Sequence, residues 1–258
     1  MRQSLAVSAA IALLSAGCAG FFSSESGEPK YSTDPSTNFQ RGESAFKGNN
    51  WVEAEKYFQY VKDKYPYLAI AREAELRLSD SHYAKDRFIE ARDAYANFAK
   101  LHPSHPRADY AAFRAALTHY REIPSNFFIF PPIYEKDQVE ILATRKAMDD
   151  FVQHYPQSPF VADARKYSDL TKRRQAEHEM YVASFYERRK RWGAVAGRLE
   201  TVVRDYPGLG LDQDALFRLH KVYSKMNDRL QAQQALRRVI DRFPGTKAAE
   251  KAQKLLGS

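Results

Sequence analysis

Seven histidines, one cysteine, a Gly-Leu-Gly turn and two dense basic runs are the residues of this 258-residue chain that could do chemistry. The closest histidine pair, His102 and His105, sits in His-Pro-Ser-His-Pro, where two prolines make a stiff turn and no third ligand stands nearby in sequence. Zinc sites gather three or four ligands, so the pair predicts no metal. His178-Glu179 begins like a helical zinc motif, but Val182 stands where the second histidine is required. Gly208-Leu209-Gly210 falls between helical stretches rather than after a strand, which argues against a phosphate loop. No serine occupies a nucleophile elbow, and Cys18 lies at the N-terminal end. Without a convergent acid, base or nucleophile, the sequence predicts a protein with no catalysis, cofactor or metal. Binding chemistry remains. Lys172-Arg173-Arg174 and Arg188-Arg189-Lys190-Arg191 alternate with Tyr181, Phe185, Tyr186 and Trp192. Arginine beside tyrosine and tryptophan is the usual make-up of an interface centre. The same runs also fit a solvated helix face with Phe185 and Trp192 turned into a core.

The elements that position these residues are written in a repeat. Five prolines each follow a ring: Tyr65-Pro66, His102-Pro103, Tyr155-Pro156, Tyr206-Pro207 and Phe243-Pro244. Counting back 12, 8 and 5 residues gives Ala54/Phe58/Val61, Ala91/Tyr95/Phe98, Thr144/Met148/Phe151, Val195/Leu199/Val202 and Ala232/Leu236/Val239, one face of a helix each time. Counting forward 8 gives alanine five times, at Ala74, Ala111, Ala164, Ala215 and Ala252. Proline lacks an N–H and disfavours helix in the residue before it, so it ends each helix, and alanine suits a second helix crossing the first closely. The prediction is an all-α, tetratricopeptide-like superhelix of five helix pairs plus a C-terminal capping helix. The units fall at about 36–66, 67–103, 104–156, 157–207 and 208–244, with the cap over 246–257. Two units carry insertions. Residues 123–134 (IPSNFFIFPPIY) predict an ordered aromatic loop, and the stretch from Pro159 to Arg191, free of internal proline and glycine, predicts one unusually long helix.

The first 17 residues read as an export signal: Arg2, an apolar run from Leu5 to Leu14, then Ser15-Ala16-Gly17, too short to span a membrane. An ordinary secretory signal fits. A lone cysteine after Ala-Gly also resembles the bacterial lipobox, with Ser15 where leucine is usual. That resemblance implies acylation of Cys18 as the new N-terminus, and Ala19 in place of aspartate implies delivery to the outer membrane. Residues 18–35 are rich in Gly, Ser, Pro and charge, as a flexible tether with a reach of roughly 20–25 Å would be. The formal charge is +8, or +7 once Arg2 is removed. A basic balance suits nucleic acid, anionic lipid or an acidic protein, and export to a membrane tether leaves the last two.

Leu101-His102-Pro103-Ser104-His105-Pro106 with Asp109-Tyr110, and the later run His178-Glu179, Val182-Ala183, Phe185-Tyr186, Arg189, Trp192, Arg198 and Asp205-Tyr206-Pro207, are similar to the BamD family of the β-barrel assembly machinery. The resemblance implies a lipid-anchored protein on the periplasmic face of the outer membrane. Its C-terminal units would bind the barrel insertase BamA, with other Bam lipoproteins as further partners, and its N-terminal units would receive unfolded outer-membrane proteins. Arg198 matches a family position near the insertase contact, and Arg189 and Tyr186 are its expected companions. For the client groove the expected residues are Tyr67, Arg72 and His82, rings and cations suited to a segment ending in an aromatic residue and a carboxylate. The chain departs from the family pattern in the 123–134 insertion. The alternative is a periplasmic repeat lipoprotein organising cell-wall synthesis, against which the polar positions of the fourth unit argue.

Overall fold

Each ring-proline pair ends a helix in the same way. Tyr65, His102, Tyr155, Tyr206 and Phe243 leave helical geometry at φ between −130° and −123° and ψ between 47° and 57°. Each still donates its N–H to the carbonyl four residues back, and the proline that follows has none to offer. A computed structural model describes residues 29–124 and 138–257. The export signal, Cys18 and all but Ile123 and Pro124 of the aromatic insertion lie outside the described residues.

The helices are α1 (Pro35–Lys47), α2 (Trp51–Lys64), α3 (Ala69–Ala84), α4 (Phe88–Leu101), α5 (Ala108–Glu122), α6 (Val139–His154), α7 (Val161–Arg188), α8 (Trp192–Asp205), α9 (Asp212–Lys225), α10 (Arg229–Arg242) and α11 (Lys247–Leu256). Each packs chiefly on its neighbours in sequence, with α1 also touching α3 and α11 covering α10. The described residues are therefore an all-α stack of five helix pairs and a cap. Every repeat position counted from the prolines is buried, including the five alanines. Burying each of the larger side chains contributes roughly 1.5–3 kcal/mol. Thr144, the one polar member, donates to the Glu140 carbonyl at 2.6 Å. The first crossing is close, since a Cβ on Gly42 of α1 would lie 2.7 Å from Phe58 Cε1.

The turn inside a pair is also repeated. Asn49, Asp86, Lys190 and Asn227 sit at φ between 56° and 61°. The residue after each donates its N–H to the carbonyl five back: Asn50 to Ala45, Arg87 to His82, Arg191 to Tyr186 and Asp228 to Tyr223. Asparagine and aspartate tolerate this left-handed conformation, and lysine does so less readily.

Helix α7, 28 residues and about 42 Å long, is twice the length of α8. Its Ala164 belongs to a core with Phe113, Met148 and Phe151 of α5 and α6. Its Ala176 and Ala183 belong to a second core with Leu199, Leu219 and Leu236 of α8, α9 and α10. Between them the buried positions turn polar: Ser168 donates to Asp149 at 2.6 Å, and Gln175 accepts from Arg145 at 2.8 Å. One helix thus joins two apolar cores across a polar seam.

Candidate functional site

At the C-terminal end, α7 and α8 place the expected insertase residues on neighbouring helices. Arg198 of α8 reaches across to Glu179 of α7 at 3.1 Å, and both keep some exposure. Tyr186, in the last turn of α7, is half-buried against the C-terminal core and meets Phe185 edge-on. Arg189 caps the same helix, exposed, with its guanidinium 3.5 Å from the centre of the Phe185 ring. The α7–α8 pair therefore presents a cation on α8, paired to an acid of α7, and an aromatic-cation cluster at the end of α7. Of the two basic runs, the first is largely spoken for. Lys172 lies 3.5 Å from Asp149, Arg173 pairs with Glu177 at 3.2 Å, and Arg174 stacks on Tyr120.

At the N-terminal end, α2, α3 and the start of α4 enclose a groove of about 690 Å³ lined in part by Val52, Glu55, Gln59, Tyr60, His82 and Arg87. Tyr31 closes one side by stacking on Tyr60, the centroids 4.0 Å apart and the planes 7° from parallel. The chain is held there by Asn38, which exchanges two 2.8 Å hydrogen bonds with Ser32, and by the Tyr65 hydroxyl, which donates to the Thr33 carbonyl. Glu55 gathers three bases: Lys85 at 2.8 Å, Arg87, and His82 Nδ1 at 3.1 Å. Burial, and next the Arg87 charge, hold the His82 imidazole below its ordinary value against the pull of Glu55. Arg87 Nη2 also lies 2.6 Å from His82 Nδ1, so the guanidinium and the Glu55 carboxylate compete for that nitrogen.

Of the three expected client residues, only His82 lines this groove. Tyr67 stands 95% exposed in the α2–α3 turn, and Arg72 lies in the first turn of α3. His82 follows ten residues later, about 15 Å along the axis. Tyr67 precedes α3, and Arg72 and His82 stand near its two ends and about 80° apart around its axis, so the three do not line one pocket. Tyr31, Tyr60 and Glu55 were not among the expected residues. Tyr31 fell in a stretch read as tether, and nothing in its spacing tied it to α2.

Two polar clusters lie between these ends. Asp80, buried on α3, accepts from Tyr95 (2.5 Å), Tyr110 (2.8 Å) and Arg77 (2.7 Å), while Arg114 lies over the Tyr83 ring at 3.8 Å. Burial, with the Asp80 charge second, pushes the Tyr110 phenol up to about 12 and moves Tyr95 the same way. His119, Glu122 and Glu140 bring three ligand atoms within 4.8 Å of one another. Sequence did not show this group, because Glu140 joins it across the insertion. Arg92 stands among them, 2.6 Å from Glu122 and 3.1 Å from His119, and supplies the positive charge itself. His102 and His105 separate onto two α3 carboxylates, Glu75 and Glu73.

No described helix is long and apolar enough to cross a membrane. Residues 32–238 match the family described as "YfiO: Outer membrane lipoprotein". Among curated proteins the chain is similar to the Outer membrane protein assembly factor BamD of Caulobacter vibrioides, 28% identical over 185 residues. That alignment covers 72% of this chain and 58% of the relative, so the chain spans less than two thirds of the Caulobacter protein. The proteins of the same name from Vibrio cholerae and Neisseria gonorrhoeae are each 26% identical, over 67% and 80% of this chain and 73% and 78% of their own lengths. A match running from the chain beside Tyr31 through α1 to α9 and most of α10 takes in both candidate surfaces, and the chain belongs to the YfiO family of outer membrane lipoproteins.

Proposed function

We propose that this chain is the lipoprotein of an outer-membrane β-barrel assembly complex, anchored through Cys18 on the periplasmic face. It scaffolds a BamA-like insertase through Arg198, Arg189 and Tyr186, and receives unfolded outer-membrane proteins on its N-terminal units through Tyr67, Arg72 and His82. Other Bam lipoproteins are further partners, and the chain contributes no catalysis of its own. The observation that carries the reading is Arg198, 43% exposed and held by Glu179 at 3.1 Å, a cation on the helix pair where the family resemblance puts the insertase contact. The name shared by the relatives favours this role over one in cell-wall synthesis.

Replacing Arg198 by glutamate alone would set two carboxylates against each other, so the informative variant is the swap Arg198→Glu with Glu179→Arg. It keeps the internal pair while moving the cation to α7. Co-purification with the insertase from solubilised outer membranes should fall at least about tenfold with little change in the thermal melt. Undiminished co-purification would remove Arg198 from the interface.

A further inference from the structure

The α7–α8 and α9–α10 turns lie on one edge of the stack, because α7 and α9 run parallel with α8 between them. That edge holds Arg188, Arg189, Lys190, Arg191, Lys225 and Arg229, all exposed and none in an ion pair among the described residues. The nearby acids are already engaged. Glu187 pairs with Arg218 at 2.7 Å, and Asp228 caps α10 by accepting from Gln231 N at 3.1 Å. Between the cations stand Phe185, Met226 and Leu230, 36%, 42% and 65% exposed.

The fourth-unit turn also gives up local stability to carry this charge. At its left-handed position the first, second and fifth units use Asn49, Asp86 and Asn227, and the fourth uses Lys190. At the following N-cap, Asn50 and Asp228 each accept a backbone N–H, whereas Arg191 makes no side-chain cap. Arg87 likewise makes no cap in the second unit, but it is spent on Glu55; Arg191 has no such acidic partner among the described residues.

We propose that this edge docks on the anionic phospholipid surface of the membrane that carries the protein. Cations that pair with phosphates, interleaved with apolar side chains at the same level, are the make-up of an interfacial membrane contact. A lipoprotein tether holds the surface at high effective concentration, so a weak contact suffices to fix orientation. The edge shares Arg189 with the proposed insertase contact but not the Arg198–Glu179 pair, which lies about 9 Å further along α8, and vesicle lipids alone test it without the insertase.

The experiment uses the full lipidated chain in nanodiscs of phosphatidylcholine, with or without about one-third phosphatidylglycerol, read by amide hydrogen exchange. On the anionic discs residues 188–191 and 225–230 should exchange about fivefold slower than on the neutral discs, and salt at about 0.5 M should abolish the difference. The triple variant Lys190→Asn, Arg191→Asp, Arg229→Glu should lose the protection while its core amides stay protected, because each replacement suits its left-handed, N-cap or first-turn position. Leu230→Ser should weaken the protection and keep its salt dependence. Equal exchange on both discs, which would leave the cations to an acidic protein partner, overturns the proposal. Protection that survives the triple variant overturns it as well.

Discussion

Asp80 draws two tyrosines and an arginine from three helices into one buried centre, and the phenols record the cost of ionising there. A solvent-exposed tyrosine loses its proton near pH 10. In the folded chain Tyr110 keeps it to about 12, chiefly because burial disfavours the phenolate and next because Asp80 is already negative. Between those values the folded state binds more protons than the unfolded one, so stability falls as pH rises. Tyr110→Phe should flatten the plot of denaturant-derived stability against pH in that window by one proton, about 1.4 kcal/mol per pH unit. An unaltered slope would place the phenol in solvent. This centre was not legible beforehand: Tyr95 announced itself by its register as core, but nothing marked Asp80 as the carboxylate beneath it.

Among the elements, legibility followed the physics of each signal. Proline and the ring before it act locally, so the ends of α2, α4, α6, α8 and α10 could be read from single residues, as could the alanine crossings. Those crossings should tolerate no bulk. Ala111→Leu and Ala215→Leu should each cost about 1–3 kcal/mol in a denaturant titration, since the alanines are fully buried where one helix crosses another. Neutral behaviour would mean that the helices can move apart freely. The length of α7 was legible too, from the absence of breakers between Pro159 and Arg191. What it joins was not, because the assignment of Ala164 to one core and Ala176 to another depends on partners dozens of residues away. For the same reason the basic runs at 172–174 and 188–191 looked alike in sequence. Only packing shows acids paired with the first and, among the described residues, none paired with the second.

The whole molecule inherits a division from that helix. Two apolar cores are joined by α7, and repeat stacks whose neighbours couple weakly unfold in parts. The chain's two tryptophans, Trp51 at the start of α2 and Trp192 at the start of α8, report on the two sides separately. Leu236→Ala, which opens the C-terminal core at a cost of about 2–5 kcal/mol, should lower the denaturant midpoint seen by Trp192 in a Trp51→Phe background. The midpoint seen by Trp51 in a Trp192→Phe background should stay in place, and a joint shift would mean one cooperative body. The bonds that fasten Ser32 and Thr33 to Asn38 and Tyr65, with the Tyr31 stack beside them, bear on how such a body would take mechanical load. With an anchor at Cys18, any drag on a bound cargo would travel down the leash and enter here. A pull on a client held at the N-terminal helices would load the first helix pair and leave the stack beyond it outside the line of force.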